Sequence, residues 1–208
     1  MAKVYTRKLK RGAKAAPARR RNAAATRAAI LASARKAFVR AGYDGAGVRE
    51  IASGAGVTAM LVNRYFGSKE RLFAEVVAAT MAEPVVLAPA NLGASHRGAA
   101  MAAALVGLTG SGAAPLDGFQ IMLRSASSDR AAEIGRVQIE AHHLKTMAAA
   151  LAGPRAPERA AVVLAVVAGF QVMRQMIGLA PLAQADPETL IAILGPVLQQ
   201  LVEGTGGG

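Results

Sequence analysis

Residues 51–70 read IASGAGVTAMLVNRYFGSKE, and no other stretch constrains the fold as tightly. Small residues at Ala52 and Gly56 are followed by apolar ones at Val57, Val62 and Phe66. That spacing fits neither one long helix nor a strand, but it fits two short helices meeting at a tight corner. Gly56 supplies the positive φ that such a corner needs. Val57 plugs the corner, and Thr58 is placed to cap the next helix by accepting a backbone N–H through its hydroxyl. Val62 and Phe66, four apart, then face inward. Thr58, Ala59, Met60, Asn63 and Arg64 are left outward as a candidate reading surface.

The flanking sequence supplies partners for this unit. Ile30, Ala34, Phe38 and Ala41 recur at helical spacing, and Gly42 ends that helix. Val48 to Gly54 forms the first short helix, with only Gly47 as its cap. The charge gathers in the same region. Residues 1–75 hold 17 Lys+Arg and four acids, 17 − 4 = +13, whereas residues 76–208 hold eight basic and nine acidic residues, 8 − 9 = −1. An excess so confined points to a polyanion: DNA, RNA or an anionic membrane surface. Nine basic residues and no acid precede residue 22, so residues 1–22 read as a flexible basic arm. Its Arg19, Arg20 and Arg21 are placed to neutralise phosphates or enter a minor groove.

The chain reads as all-α. A 53% apolar content rich in alanine favours helices, and nowhere do Val and Ile alternate with polar residues long enough for a strand. Zero cysteines exclude disulfides and thiolate metal sites and suit a reducing cytoplasm. The most apolar run, 160–170, falls short of the ~20 residues a bilayer requires, and no apolar stretch follows the basic start as a signal peptide would need. An enzyme is disfavoured, because GxSxG, GxxxxGK[ST], HExxH and a cysteine nucleophile are all missing.

From residue 26 to 77 the sequence resembles the tetracycline-repressor (TetR) family of transcriptional regulators. The AFVRAGYDGAGVREIASGAGV run carries the likeness, and so does NRYFGSKERL, where Tyr65, Phe66, Ser68, Lys69 and Glu70 fall on the family's pattern. The resemblance implies a homodimer on a palindromic operator, one recognition helix per half-site in the major groove. Arg49, Thr58, Tyr65 and Lys69 then correspond to phosphate contacts, Lys69 aided by a helix N-terminus. Ala59, Met60, Asn63 and Arg64 correspond to base-facing positions. Asn63 and Met60 stand where many relatives carry Tyr and a small residue, which puts the operator sequence in doubt. A sequence-independent architectural DNA binder is the nearest alternative.

Residues 23–83 thus form the expected DNA-binding domain, and 84–208 a helical ligand-binding and dimerisation domain, about nine helices in all. Asp117 and Asp186 read as helix caps, SSDRAAE opens a long helix to Leu151, and GPRAP breaks it. The run from Ala160 to Ile177 is apolar on almost every face and must be covered all round, in part by a twin subunit. LRSASSDRAAEIG resembles a C-terminal domain frequent in actinobacterial members of the family. By resemblance the protein dimerises through its last two helices and takes a small apolar effector, with no cofactor or metal. Met81, Leu105, Leu108, Phe119, Met122, Leu123, Arg124, Val137, His142, Met147 and Phe170 are the candidate pocket residues, with Glu140 and Gln171 as polar ones.

Overall fold

The computed structural model describes residues 16–82, 84–110, 112–113 and 116–204, and for 16–21 the backbone alone. Among them there is no strand. The order is α1 (Ala16–Gly45), α2 (Val48–Gly54), α3 (Ala59–Phe66), α4 (Lys69–Met81), α5 (Pro89–Leu92), α6 (Arg97–Leu108), α7 (Asp117–Ser125) and α8 (Asp129–Ile139). A π-helical turn, Glu140–Leu144, joins α8 to α9 (Lys145–Ala150). α10 (Ala156–Gln171) runs into a second such turn, Val172–Met176, before α11 (Ala180–Ala183) and α12 (Pro187–Glu203). Counting α8–α9 as one rod and leaving aside the four-residue α5 and α11, the described residues hold nine helices.

α1 opens at Ala16, so residues 16–22 are helical where the sequence predicts the end of a flexible arm. Two features favour the early start. Pro17 sits in the first turn, where its missing N–H costs nothing, and Ala and Arg are good helix formers. Arg19, Arg20 and Arg21 therefore ride on the first turns of α1, and residues 1–15 lie outside the described residues. Regular helix stops at Gly42, whose φ is +66°. A Cβ there would lie 2.5 Å from the carbonyl oxygen of Arg124, so both dihedral and space demand glycine.

The N-terminal core gathers Ile30, Phe38, Ile51, Leu72 and Phe73, all fully buried. Phe38 and Phe73 meet edge to face at 5.0 Å, and Tyr43 meets Phe73 at the same distance. This core does not end with α4. Ile121 of α7 and Ala131 of α8 are buried in it, Gly118 lets α7 press on Thr80, and Gly135 lets α8 press on Met122. The boundary near residue 83 separates stretches of sequence, not cores. Asp117 also differs from its expected role. Leu116 is the N-cap of α7, and the Asp117 carboxylate accepts a bond of 2.6 Å from Arg35 Nε on α1.

The C-terminal core is built on the crossing of α6 and α12, with Met101, Leu105, Met147 and Leu198 fully buried. Gly98 makes the crossing close: its N–H donates to Gln199 Oε1 at 2.6 Å, and a Cβ would strike the backbone of Gly195 and Gln199. α10 divides into three stripes at helical spacing. Ala160, Val163 and Phe170 enter the core, Leu164, Val167, Ala168 and Gln171 face a cavity, and Val162 and Ala165 are exposed, with Gly169 exposed at the cavity's edge and Met173 exposed in the π turn beyond.

Two arginines pin this rod. Arg159 donates to the carbonyls of Leu201 and Val202 at the end of α12 and to those of Ala152 and Pro154. Arg174, buried with no carboxylate partner among the described residues, donates to Val106 O (2.8 Å), Thr109 Oγ1 (3.0 Å) and Leu182 O (3.0 Å). Carbonyls at a helix C-terminus carry partial negative charge, which is what a buried guanidinium requires. With the π turn, the rod Ala156–Met176 runs 21 residues with mean hydropathy 1.4 in its most apolar window, a length and composition that a packed core helix shares with a membrane span. Its apolar stretch continues past Gln171 because Val172, Met173 and Met176 follow.

Candidate functional site

α2, the corner and α3 are fixed from one side. Gly56 turns with φ +67°, and nothing lies within 4 Å of where its Cβ would be, so the dihedral alone requires glycine. Thr58 Oγ1 accepts from Leu61 N at 3.3 Å, and Ser68 Oγ likewise caps α4 by accepting from Arg71 N at 3.3 Å. Gly47 precedes α2 with no side-chain cap. Val62 and Phe66 are buried, which orients the opposite face of α3 outward.

That face holds Met60, 79% exposed, with Asn63 and Arg64 also exposed and Thr58 at its start. Ala59 and Tyr65 lie half-buried at its edges, packed on the core. Arg49 is exposed at the start of α2. Lys69 Nζ sits 4.6 Å above the Tyr43 ring centroid, a cation–π contact that steadies it at the head of α4. Arg71, exposed in the same turn with its guanidinium beside Gly67, is a neighbour the sequence reading missed. Its signal was a basic residue in the first turn of a capped helix.

The acids of this half are occupied. Glu75 pairs with Arg27, Glu50 with Arg40, Asp44 accepts from Ser128 Oγ at 3.2 Å, and Glu70 accepts from Tyr43 Oη at 3.0 Å. Bonds from the Ser68 hydroxyl, its own backbone N–H and Tyr43 hold the Glu70 carboxyl below its ordinary range. Burial, then the bond to Glu70, pushes the Tyr43 phenol up to about 12. Arg49, Arg64 and Arg71, by contrast, have no ion-pair partner among the described residues. Positive charge therefore remains free around an exposed helix, an arrangement suited to a nucleic-acid backbone.

A second feature is a cavity of about 440 Å³ at the seam between the two cores. Of the predicted pocket residues, Met81, Leu108, Phe119, Met122 and Leu123 line it. Leu105, Met147 and Phe170 are instead buried in the C-terminal core, and Val137 is exposed. Arg124 points to solvent while its carbonyl lies against Gly42. His142 is exposed, and its neighbour His143 faces the cavity in its place. Periodicity marks apolar faces but does not tell a cavity wall from a filled core. Thr80, Gly118 and the inner stripe of α10 complete the wall.

The fold and this outward helix define a helix-turn-helix protein. The family pattern "Bacterial regulatory proteins, tetR family" matches residues 30–76, and "Tetracyclin repressor-like, C-terminal domain" matches residues 98–202. The chain belongs to the TetR family of DNA-binding transcriptional regulators. It is similar to a TetR-family regulator from Streptomyces coelicolor A3, at 26% identity and TM-score 0.56, covering 86% of this chain and 95% of that one. A TetR-family regulator from Rhodococcus sp. shares the fold at 14% identity and TM-score 0.64, covering 86% and 100%. AibR, in a complex with isovaleryl coenzyme A and operator DNA, shares it at 19% identity and TM-score 0.55, covering 83% and 97%. A comparison with curated protein sequences finds no match.

Proposed function

We propose that this regulator is a ligand-responsive repressor that binds a palindromic operator as a homodimer. The observation that carries this is α3: one face is locked by Val62 and Phe66, and the other presents Met60, Asn63 and Arg64 amid unpaired cations. Asn63 pairs bidentately with adenine, Met60 presses on a thymine methyl, and Arg64 reaches a further base edge, with Ala59 beside them. Arg49, Thr58, Tyr65 and Lys69 hold phosphates and set the register, and Arg19, Arg20 and Arg21 extend that contact from the start of α1. On this reading the protein works in the cytoplasm, at its operator on the nucleoid, and calls on no cofactor, metal or membrane.

The twin subunit covers the outer stripes of α10 and α12. Ile177 is 66% and Ile193 63% exposed, with Val162, Met173 and Val197 also open, large apolar side chains that a partner subunit would cover. Exposed Ala165 and Gly169 permit close approach of the helices. The cavity is the effector site, as the AibR complex with isovaleryl coenzyme A and operator DNA suggests by analogy. Its wall includes Thr80 and Met81 at the end of α4, whose other end abuts α3, so a ligand there shifts one reading head against its twin.

Sedimentation velocity and DNA binding test the assembly together. Wild type sediments as a dimer and places two subunits on each selected duplex. An Ile177→Glu/Ile193→Glu variant sediments as a folded monomer and binds the same duplex at least ~100-fold more weakly, because each half-site is then held alone. A variant that stays dimeric contradicts the assignment of the interface.

A further inference from the structure

The cavity wall is almost wholly apolar, and the exceptions indicate what it accepts. No Arg, Lys, Asp or Glu lines it among the described residues. Thr80 Oγ1 already donates to Val77 O at 2.7 Å. Burial, then the neighbouring His142, lowers the His143 pKa below the ordinary histidine value, which favours its neutral imidazole. Gln171 is the anomaly. It is only 5% exposed, yet its side-chain amide makes no hydrogen bond among the described residues. No fully buried side-chain polar atom among the described residues lacks a partner, so the amide's donors and acceptor are open to the cavity that Gln171 lines. Its one open direction is the cavity.

We infer that the cavity takes an uncharged, largely apolar ligand bearing one hydrogen-bonding group, such as a ketone, alcohol or amide, which pairs with Gln171. This rests on reading the cavity as the effector site and goes further, in naming the ligand's class and the residue that recognises its polar end. Two physical arguments support it. An apolar wall buries a hydrocarbon body, and about 440 Å³ lies within the range of small-molecule pockets. A carboxylate or ammonium would lose its hydration with no opposite charge to replace it, which strongly opposes entry. Coenzyme A thioesters are disfavoured for the same reason, unless their phosphates stay outside.

The test uses full-length protein carrying the uncharged dye N-phenyl-1-naphthylamine, displaced by ten-carbon competitors that differ only in the head group. 2-Decanone and 1-decanol should displace the dye at least ~10-fold more effectively than decanoate or decylammonium, since only the charged heads pay an uncompensated desolvation cost. Gln171→Leu, or Gln171→Met should the first variant fold poorly, should weaken 2-decanone and 1-decanol about 10-fold while leaving dye affinity unchanged, because the partner of the polar head is lost and the apolar wall is not. Decanoate matching 1-decanol, or a variant that keeps wild-type affinity for the neutral heads, overturns the inference, and so does failure of the dye to bind. Binding of a selected duplex by the same preparation is measured in parallel. Retained DNA binding with a negative ligand result removes this inference alone, whereas lost DNA binding removes the reading beneath it.

Discussion

In the N-terminal core Phe38, Tyr43 and Phe73 meet ring to ring with defined angles, while the C-terminal core relies on Met101, Leu105, Met147 and Leu198 and borders an open cavity. The difference follows from what each must hold. A reading helix has to be fixed in direction, and edge-to-face aromatic pairs add directional preference to burial. A wall around a ligand has to yield, and Met81, Met122, Leu108 and Leu164 in the cavity wall allow it. α7 serves both regions: Ile121 is buried with the aromatic rings, and Phe119 and Met122 face the cavity.

The contrast predicts an order of sensitivity. Phe38→Ala removes a fully buried ring and should cost about 3–5 kcal/mol by denaturant unfolding, enough to lose the folded state or leave it marginal. Gly98→Ala should follow at ~1–3 kcal/mol or more, because the methyl meets backbone and the α6–α12 crossing must open. Met147→Leu, equally buried but nearly equal in volume, should cost less than ~1.5 kcal/mol. A loss at Met147 as large as that at Phe38 would erase the proposed difference between the cores.

Tyr43→Phe keeps the rings and removes the bond to Glu70, so its cost near neutrality should be only about 1 kcal/mol. Its sharper signature is in pH. The folded pKa of about 12 lies above the ordinary 10.0, so the phenol's contribution is complete below pH 10 and lost as pH rises towards 12. Wild type should therefore lose stability between pH 10 and 12 more steeply than Tyr43→Phe, as read from urea midpoints. Equal slopes would mean the phenol is not held as described.

How much was legible in the sequence differs along the chain for the same reason. Gly42, Gly56, Thr58 and Ser68 each do something few other residues can, so the corner, both caps and the outward face of α3 follow from residue type. Pro17 carries two meanings, since a proline breaks the interior of a helix but fits its first turn, where it sits here. Within 84–208, Leu105 and Leu108 lie on one helix, three apart, yet one is buried in the core and the other faces the cavity. Arg174 lies in a run that reads as apolar on almost every face, yet it is buried against the carbonyls of Leu182 and of Val106, the latter 68 residues away. Long-range packing decides these cases, and periodicity does not encode it.

The central claim is that α3 reads sequence, and selection from random duplex DNA near physiological salt tests it most directly, run side by side for wild type and Asn63→Ala. The account predicts a palindrome for wild type that blurs at one symmetric pair of positions in the variant, a loss of ~1–3 kcal/mol of discrimination per half-site. Recovery of duplexes with no common motif, or the same sharp palindrome from both proteins, would contradict it.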